Sequence, residues 1–292
     1  MSDELSTSSR STPVQEAETR TAPDSRHRLK TIVGRELRTV VRTRTFFVLA
    51  LAFAAVVLGI AAVGESIQAG YVPTLVDLLT PLELLVPVLA VAFGYRAILG
   101  DEQRGELDVL ETYPVSSREL VLGVYLGRAI GLVVTVVVPL AIVAVAVAVT
   151  EGSWLSIYAT HSGADSPVLF GRFVVLTALF ALSVLAVAIA ISSVVSGTRS
   201  ALALAVVALV VLLVGIDLAI AYGFSIGVIG DSELVYTLAV SPLSAFRGLV
   251  FESAVVVASG TGPDVAAPLS SLVSLVGWTV GSLALATWAL DR

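Results

Sequence analysis

Polar and apolar residues are segregated along this chain into long blocks. Six blocks are almost purely apolar, at residues 46–63, 74–99, 120–150, 168–195, 201–222 and 268–290. A helix needs about 20 apolar residues to cross the hydrocarbon core of a bilayer. The blocks therefore predict six transmembrane helices in an all-α membrane protein, since a lone segment in lipid satisfies its backbone groups only as a helix. Pro81 and Pro87 interrupt the second block. Ser166-Pro167 opens the fourth, a side-chain cap followed by a first-turn proline. Only residues 196–200 separate the fourth block from the fifth, so these two form a tight antiparallel hairpin.

The polar blocks carry the rest of the plan. Residues 1–27 are read as a disordered tail, because Ser, Thr, Glu, Asp and Pro dominate it and bury too little to offset chain entropy. It also lacks the apolar core of a signal peptide, so no cleavage is expected. Over 28–44, Leu29, Ile32, Val33, Leu37, Val40 and Val41 recur at helical spacing, and Arg28, Lys30, Arg35, Arg38, Arg42 and Arg44 fill other positions. Such a basic amphipathic helix is expected to lie along an anionic membrane surface, with membrane lipid as its partner. Residues 223–267 form a long segment in which Ser241-Pro242 marks a helix start. The apolar run after it is interrupted by Arg247 and Glu252, so a re-entrant or surface-lying helix is expected there, not a seventh span. An N-terminus inside the cell puts all but Arg172 and Arg247 of the 17 basic residues on the cytoplasmic side. Both termini and the 100–120 loop are then cytoplasmic, and 223–267 faces outward.

Composition agrees. Hydrophobic residues make up 57% and charged residues 14% of 292, against about 25% charged in soluble domains. There is no cysteine, which excludes disulfides, thiolate metal sites and cysteine nucleophiles. The net charge of −6, with Lys30 the single lysine, hints at a GC-rich or salt-adapted source. Nothing in the charge pattern points to nucleic acid.

The most charged run beyond the tail is GDEQRGELDVLETYPVSSREL, residues 100–120. Residues 106–111 can form a short helix with Leu107 and Leu110 on one face, and Pro114 ends it. Ser116 and Glu119 then offer a capping box that starts the next helix. A short rigid element with an apolar face and several carboxylates suits docking into a groove on a soluble partner.

This run, with its continuation to Arg128, resembles the cytoplasmic loop of ABC type-2 transporter permeases, and within those it is most similar to the NosY-like permeases frequent in halophilic archaea. Glu102, Gly105, Leu107, Leu110, Pro114, Val115, Arg118, Gly123 and Gly127 fill the family pattern. Val124 stands where a basic residue is frequent, and Glu106 where Ser or Thr is usual. The resemblance extends to Arg42, Arg44 and Phe46 before the first span, to the six-span plan and to the Ser241-Pro242 helix. It implies two permease copies, a homodimer being the simplest form, working with two ATP-binding subunits. Glu102, Gly105, Glu106, Leu107, Leu110, Pro114 and Arg118, together with the amphipathic helix, would form the surface the ATPase contacts. The chain has no G-x-x-x-x-G-K-[ST] phosphate loop. ATP and Mg2+ are therefore expected on the separate subunit, and no catalytic residue or cofactor is expected here.

Three acids lie inside spans: Asp77, Glu83 and Asp217. A charge at mid-membrane costs roughly 2.5–3.5 kcal/mol on insertion scales unless it is neutral, paired or hydrated. Each is thus a candidate pathway or interface residue, Asp77 also being near enough to an end to reach headgroups. A pairing of one of them with Arg172 is left open. His27 and His161 are far apart, and the sole methionine is Met1, so no metal site is expected. Ser192, Ser193 and Ser196 lack a nearby base and are read as bonding helix backbones. The reading is an ABC type-2 permease, with export as the favoured direction. Two alternatives remain. One is a mechanotransmitter acting on an extracellular partner at 223–267, as in copper-enzyme maturation. The other is a proton-coupled secondary transporter using Asp77 or Glu83.

Overall fold

The computed structural model describes residues 25–64, 66–103, 116–150, 165–259 and 267–292, and every regular element among them is helical. Helix α1 spans Ser25–Arg42 and α2 spans Arg44–Val63. Thr43 between them is extended, with φ −87° and ψ 116°, so the expected 28–44 helix stops there and the chain turns into the first span. The short α3, Ser66–Ala69, ends at Gly70, whose φ of 117° is open to glycine at little cost. Helix α4, Tyr71–Gly94, follows and stays continuous through Pro81 and Pro87. Next come α5, Leu99–Gln103, α6, Ser117–Thr150, and α7, Pro167–Val194. Helix α8, Thr198–Ser225, carries a π-helical turn at Val211–Gly215. Then come α9, Asp231–Leu238, and α10, which starts at Pro242, turns π-helical over Phe251–Val256 and ends at Ser259. Helix α11, Pro268–Leu290, closes the chain.

Six of these segments, built on α2, α4, α6, α7, α8 and α11, are long and apolar enough to cross a membrane. They match the six expected blocks, and α10 is not among them. The Ser166-Pro167 start forms as the sequence predicts, with the Ser166 hydroxyl accepting from the Val168 N–H at 3.2 Å.

Helix α7 is the hub of the bundle, packed by α4, α6, α10 and α11. Its most apolar window is 61% buried, against 17% for each of α2, α8 and α11. Those three outer helices present Leu51, Val207, Val214 and Val280 to the surroundings, as lipid-facing positions do. Backbones approach closely in the core. A Cβ on Gly94 of α4 would fall 2.5 Å from the Ala188 Cβ of α7, a contact only glycine permits.

Candidate functional site

The charged face at the α1 end of the bundle is built on a glycine stripe. Gly123, Gly127 and Gly131 recur every fourth residue along one side of α6. A Cβ at each would lie 2.4–2.6 Å from Ile32, Glu36 and Val40 of α1, respectively. Helix α1 thus seats directly on the α6 backbone, which is how small residues let helices pack where no hydrophobic drive separates lipid from protein.

This close seat brings opposite charges together. Glu36, 2% exposed, accepts from Arg35 Nη2 on one oxygen and Arg128 Nε on the other, both at 3.1 Å. Arg35 also reaches Asp101 of α5 at 2.5 Å. Arg128 Nη1 donates to the Phe93 carbonyl at 2.6 Å, satisfying a carbonyl in the last turn of α4, and its guanidinium sits 5.6 Å from the Phe46 ring centroid. The N-terminal end of α5 is held from the other side: the Ser192 hydroxyl of α7 accepts the N–H groups of Ile98 and Leu99, both at 3.0 Å. Ser193 donates to the Ala190 carbonyl at 2.8 Å. These serines bond backbones, as the sequence predicts.

The capping box is present. The Ser116 N–H donates to Glu119 Oε2 at 3.0 Å and the Glu119 N–H donates to the Ser116 hydroxyl at 3.3 Å. Arg28 of α1 pairs with the other Glu119 oxygen at 3.1 Å. Glu102 and Arg118 are exposed on either side of residues 104–115. Gly105, Glu106, Leu107, Leu110 and Pro114 lie outside the described residues. Of the interfacial arginines, Arg38, Arg42 and Arg44 are exposed, whereas Arg35 turns inward to Asp101 and Glu36. Lys30, Arg38 and Arg42, with Thr31 and Thr43, line an open basic groove along the outer side of α1.

At the opposite end, α10 enters the bundle. Phe246 is fully buried and stacks on Phe180 of α7 at 4.8 Å. Arg247 grips Glu83 of α4 with two bonds, Nε to Oε1 at 2.7 Å and Nη2 to Oε2 at 2.5 Å. Glu83 lies about 18 Å along α4 from Tyr71 at 1.5 Å per residue, so α10 reaches the middle of the span. The fork neutralises a carboxylate that would otherwise be costly at that depth. Asp217 of α8 accepts from the Ser244 hydroxyl of α10 at 3.0 Å. Two of the three acids therefore converge on α10. Asp77 is exposed, with its carboxylate beside Gly64 at the end of α2. Arg172 pairs with none of them; it donates to the Ser253 carbonyl, in the π-helical turn, at 2.9 Å. Nearby, Asp165 caps α4 by accepting the Tyr71 and Val72 N–H groups, both at 2.7 Å.

Sequence reasoning missed Glu36, Asp101, Arg128 and Ser192 as a connected set. The signal for Glu36 was there, a lone carboxylate on a helix otherwise decorated with arginine. Asp101 and Arg128 gave none, because their meeting depends on how α5 and α6 pack.

The model of the ABC-2 family transporter protein matches residues 30–292. The chain is 32% identical over 270 residues to a probable ABC transporter permease protein NosY of Pseudomonas aeruginosa, covering 89% of this chain and 92% of that one. It is 29% identical over 269 residues to the probable ABC transporter permease protein NosY of Stutzerimonas stutzeri, covering 87% and 95%.

Proposed function

The chain belongs to the ABC-2 transporter family, and on that premise we propose that it is the permease subunit of an ATP-driven exporter, working as a homodimer with separate ATP-binding subunits. ATP and Mg2+ are held by those subunits, and this chain supplies movement between two states, not catalysis. Both termini lie in the cytoplasm, together with the α1 end of the bundle. Residues 104–115 then sit where a soluble ATPase can grip them, with α1 beside them and its outer arginines toward lipid headgroups.

The observation that carries this reading is the anchoring of α5. It ends at Gln103, directly before the docking segment, and is tied to α1 through Asp101 and to α7 through Ser192. A push on 104–115 is thereby delivered to the centre of the bundle. The test is co-purification with a co-expressed Walker-type ATPase from the same gene neighbourhood. Leu107→Asp with Leu110→Asp should abolish it while leaving membrane insertion intact. A complex that still forms with both changes removes the docking claim.

A second reading has its own support. Glu83 and Asp217 hold α10 in place and so are not free to line a pathway. This favours a mechanotransmitter that passes ATPase work through α10 to an extracellular partner at 223–267, over a carrier that moves solute past these acids. A proton-coupled carrier working through Glu83 fits poorly, because Glu83 is already committed to Arg247, which leaves Asp77 as that reading's one candidate.

A further inference from the structure

Four charges, Arg35, Glu36, Asp101 and Arg128, meet at the foot of α5. Burying an ion costs several kcal/mol, and well-packed apolar residues often serve as well for stability. Side-chain exposure is 2% for Glu36, 4% for Asp101, 10% for Arg128 and 35% for Arg35. What an ion chain offers, and an apolar contact lacks, is partners that can be exchanged in discrete steps.

Each inner member here is shared between at least two partners among the described residues. Arg35 Nη2 serves Asp101 at 2.5 Å and Glu36 at 3.1 Å. Glu36 is split between Arg35 and Arg128. Arg128 is split between Glu36 and the Phe93 carbonyl in the last turn of α4. The two ends of α5 are held unequally. Its N-terminal end is bonded twice to buried Ser192, whereas at Gln103 the side-chain bond among the described residues is an exposed one from Thr198 at 3.1 Å. A tilt of α5 about Ser192 would keep the two bonds that seat its N-terminal end.

A tilt that withdraws Asp101 takes one carboxylate from Arg35 and shifts its balance toward Glu36. Glu36 is drawn toward Arg35, its hold on Arg128 slackens, and Arg128 loosens the last turn of α4. We infer that Asp101, Arg35, Glu36 and Arg128 form an exchangeable relay that carries displacement of α5 to α4 and α6, with Asp101 and Arg128 as its positioning residues. This rests on the docking reading above and goes beyond it by naming the path inside the permease. The coupling is physical: a set of paired charges with two arrangements, biased by where α5 stands.

The test uses the chain assembled with its ATP-binding subunit in lipid nanodiscs. The sequence has no cysteine, so Val228→Cys, 72% exposed beyond the far end of α8, carries one spin label per chain. The readout is the change in label mobility and inter-copy distance between the nucleotide-free and ATP–vanadate states. Asp101→Asn and Arg128→Gln, at the two ends of the relay, should keep the ATPase bound and hydrolysing. They should reduce the nucleotide-dependent change by roughly fivefold or more, the lower end of ordinary coupling between sites. Asp101→Glu, which keeps the charge, should restore it. Either neutral variant, assembled and showing the full change, overturns the relay. If the unaltered chain fails to bind the ATPase, the docking reading falls and the relay with it.

Discussion

Replacing Gly127 by alanine tests the seat of α1 directly. The new Cβ would stand 2.4 Å from the Glu36 Cβ and 3.1 Å from the Val33 carbonyl oxygen, where non-bonded carbon atoms prefer about 3.5–4.0 Å. Helix α1 must retreat by about 1 Å. Overpacking of this kind costs roughly 1–3 kcal/mol. The retreat also stretches the 3.1 Å bond between Glu36 and Arg128, and losing a partner of a buried pair costs about 3–5 kcal/mol when complete. Against this, alanine gains at most about 1 kcal/mol over glycine inside a helix. The net is a loss of about 1–4 kcal/mol, or about 3–12 °C in Tm for a chain of this size. Gly34 on α1 is the control, because a Cβ there meets nothing within 4 Å. Gly34→Ala should leave Tm unchanged or raise it slightly. Both variants can be melted in detergent and followed by tryptophan fluorescence and by the monodisperse fraction remaining. If Gly127→Ala melts at or above the unaltered protein, as Gly34→Ala does, α1 does not sit on the α6 backbone and the reasoning fails.

Other parts of the fold are open to similar tests. Arg247→Ala leaves the Glu83 carboxylate buried without its fork and should cost about 3–5 kcal/mol. Arg247→Ala with Glu83→Gln should recover much of that; strictly additive losses in a double-mutant cycle would refute the pairing. Asp165→Ala removes both acceptors at the start of α4 and should cost about 0.5–2 kcal/mol. Faster hydrogen exchange confined to the first turn of α4, at Tyr71 and Val72, is the expected signature, and unchanged protection there would contradict the cap.

Much of this architecture could be read from residue order. The six spans follow from block length and hydropathy, and the starts at Ser166-Pro167, Ser241-Pro242 and Ser116/Glu119 follow from local capping chemistry that needs no tertiary partner. The rigid polar element expected over 104–115, which carries most of the family motif, lies outside the described residues. Two expectations were shaped differently by packing. Arg35 has the spacing of a surface arginine, yet α1 is rotated by the glycine stripe so that this position faces Asp101. Arg172 and Arg247 were equivalent as outer basic residues, and only the insertion of α10 decides that Arg247 meets Glu83.

The division has a simple physical origin. Hydropathy, helix length and end-capping act within about one helical turn or one span, so the sequence alone determines a six-span all-α membrane protein. Ion pairs between α1, α5 and α6, and between α4 and α10, join residues 66, 92 and 164 positions apart. Which charge faces which is set by the rotation and depth of whole helices, and those are fixed by the close backbone contacts at Gly94, Gly123, Gly127 and Gly131. The tertiary structure alone could decide that Glu83 and Asp217 hold helices together, and that the charges beneath α5 form one connected chain.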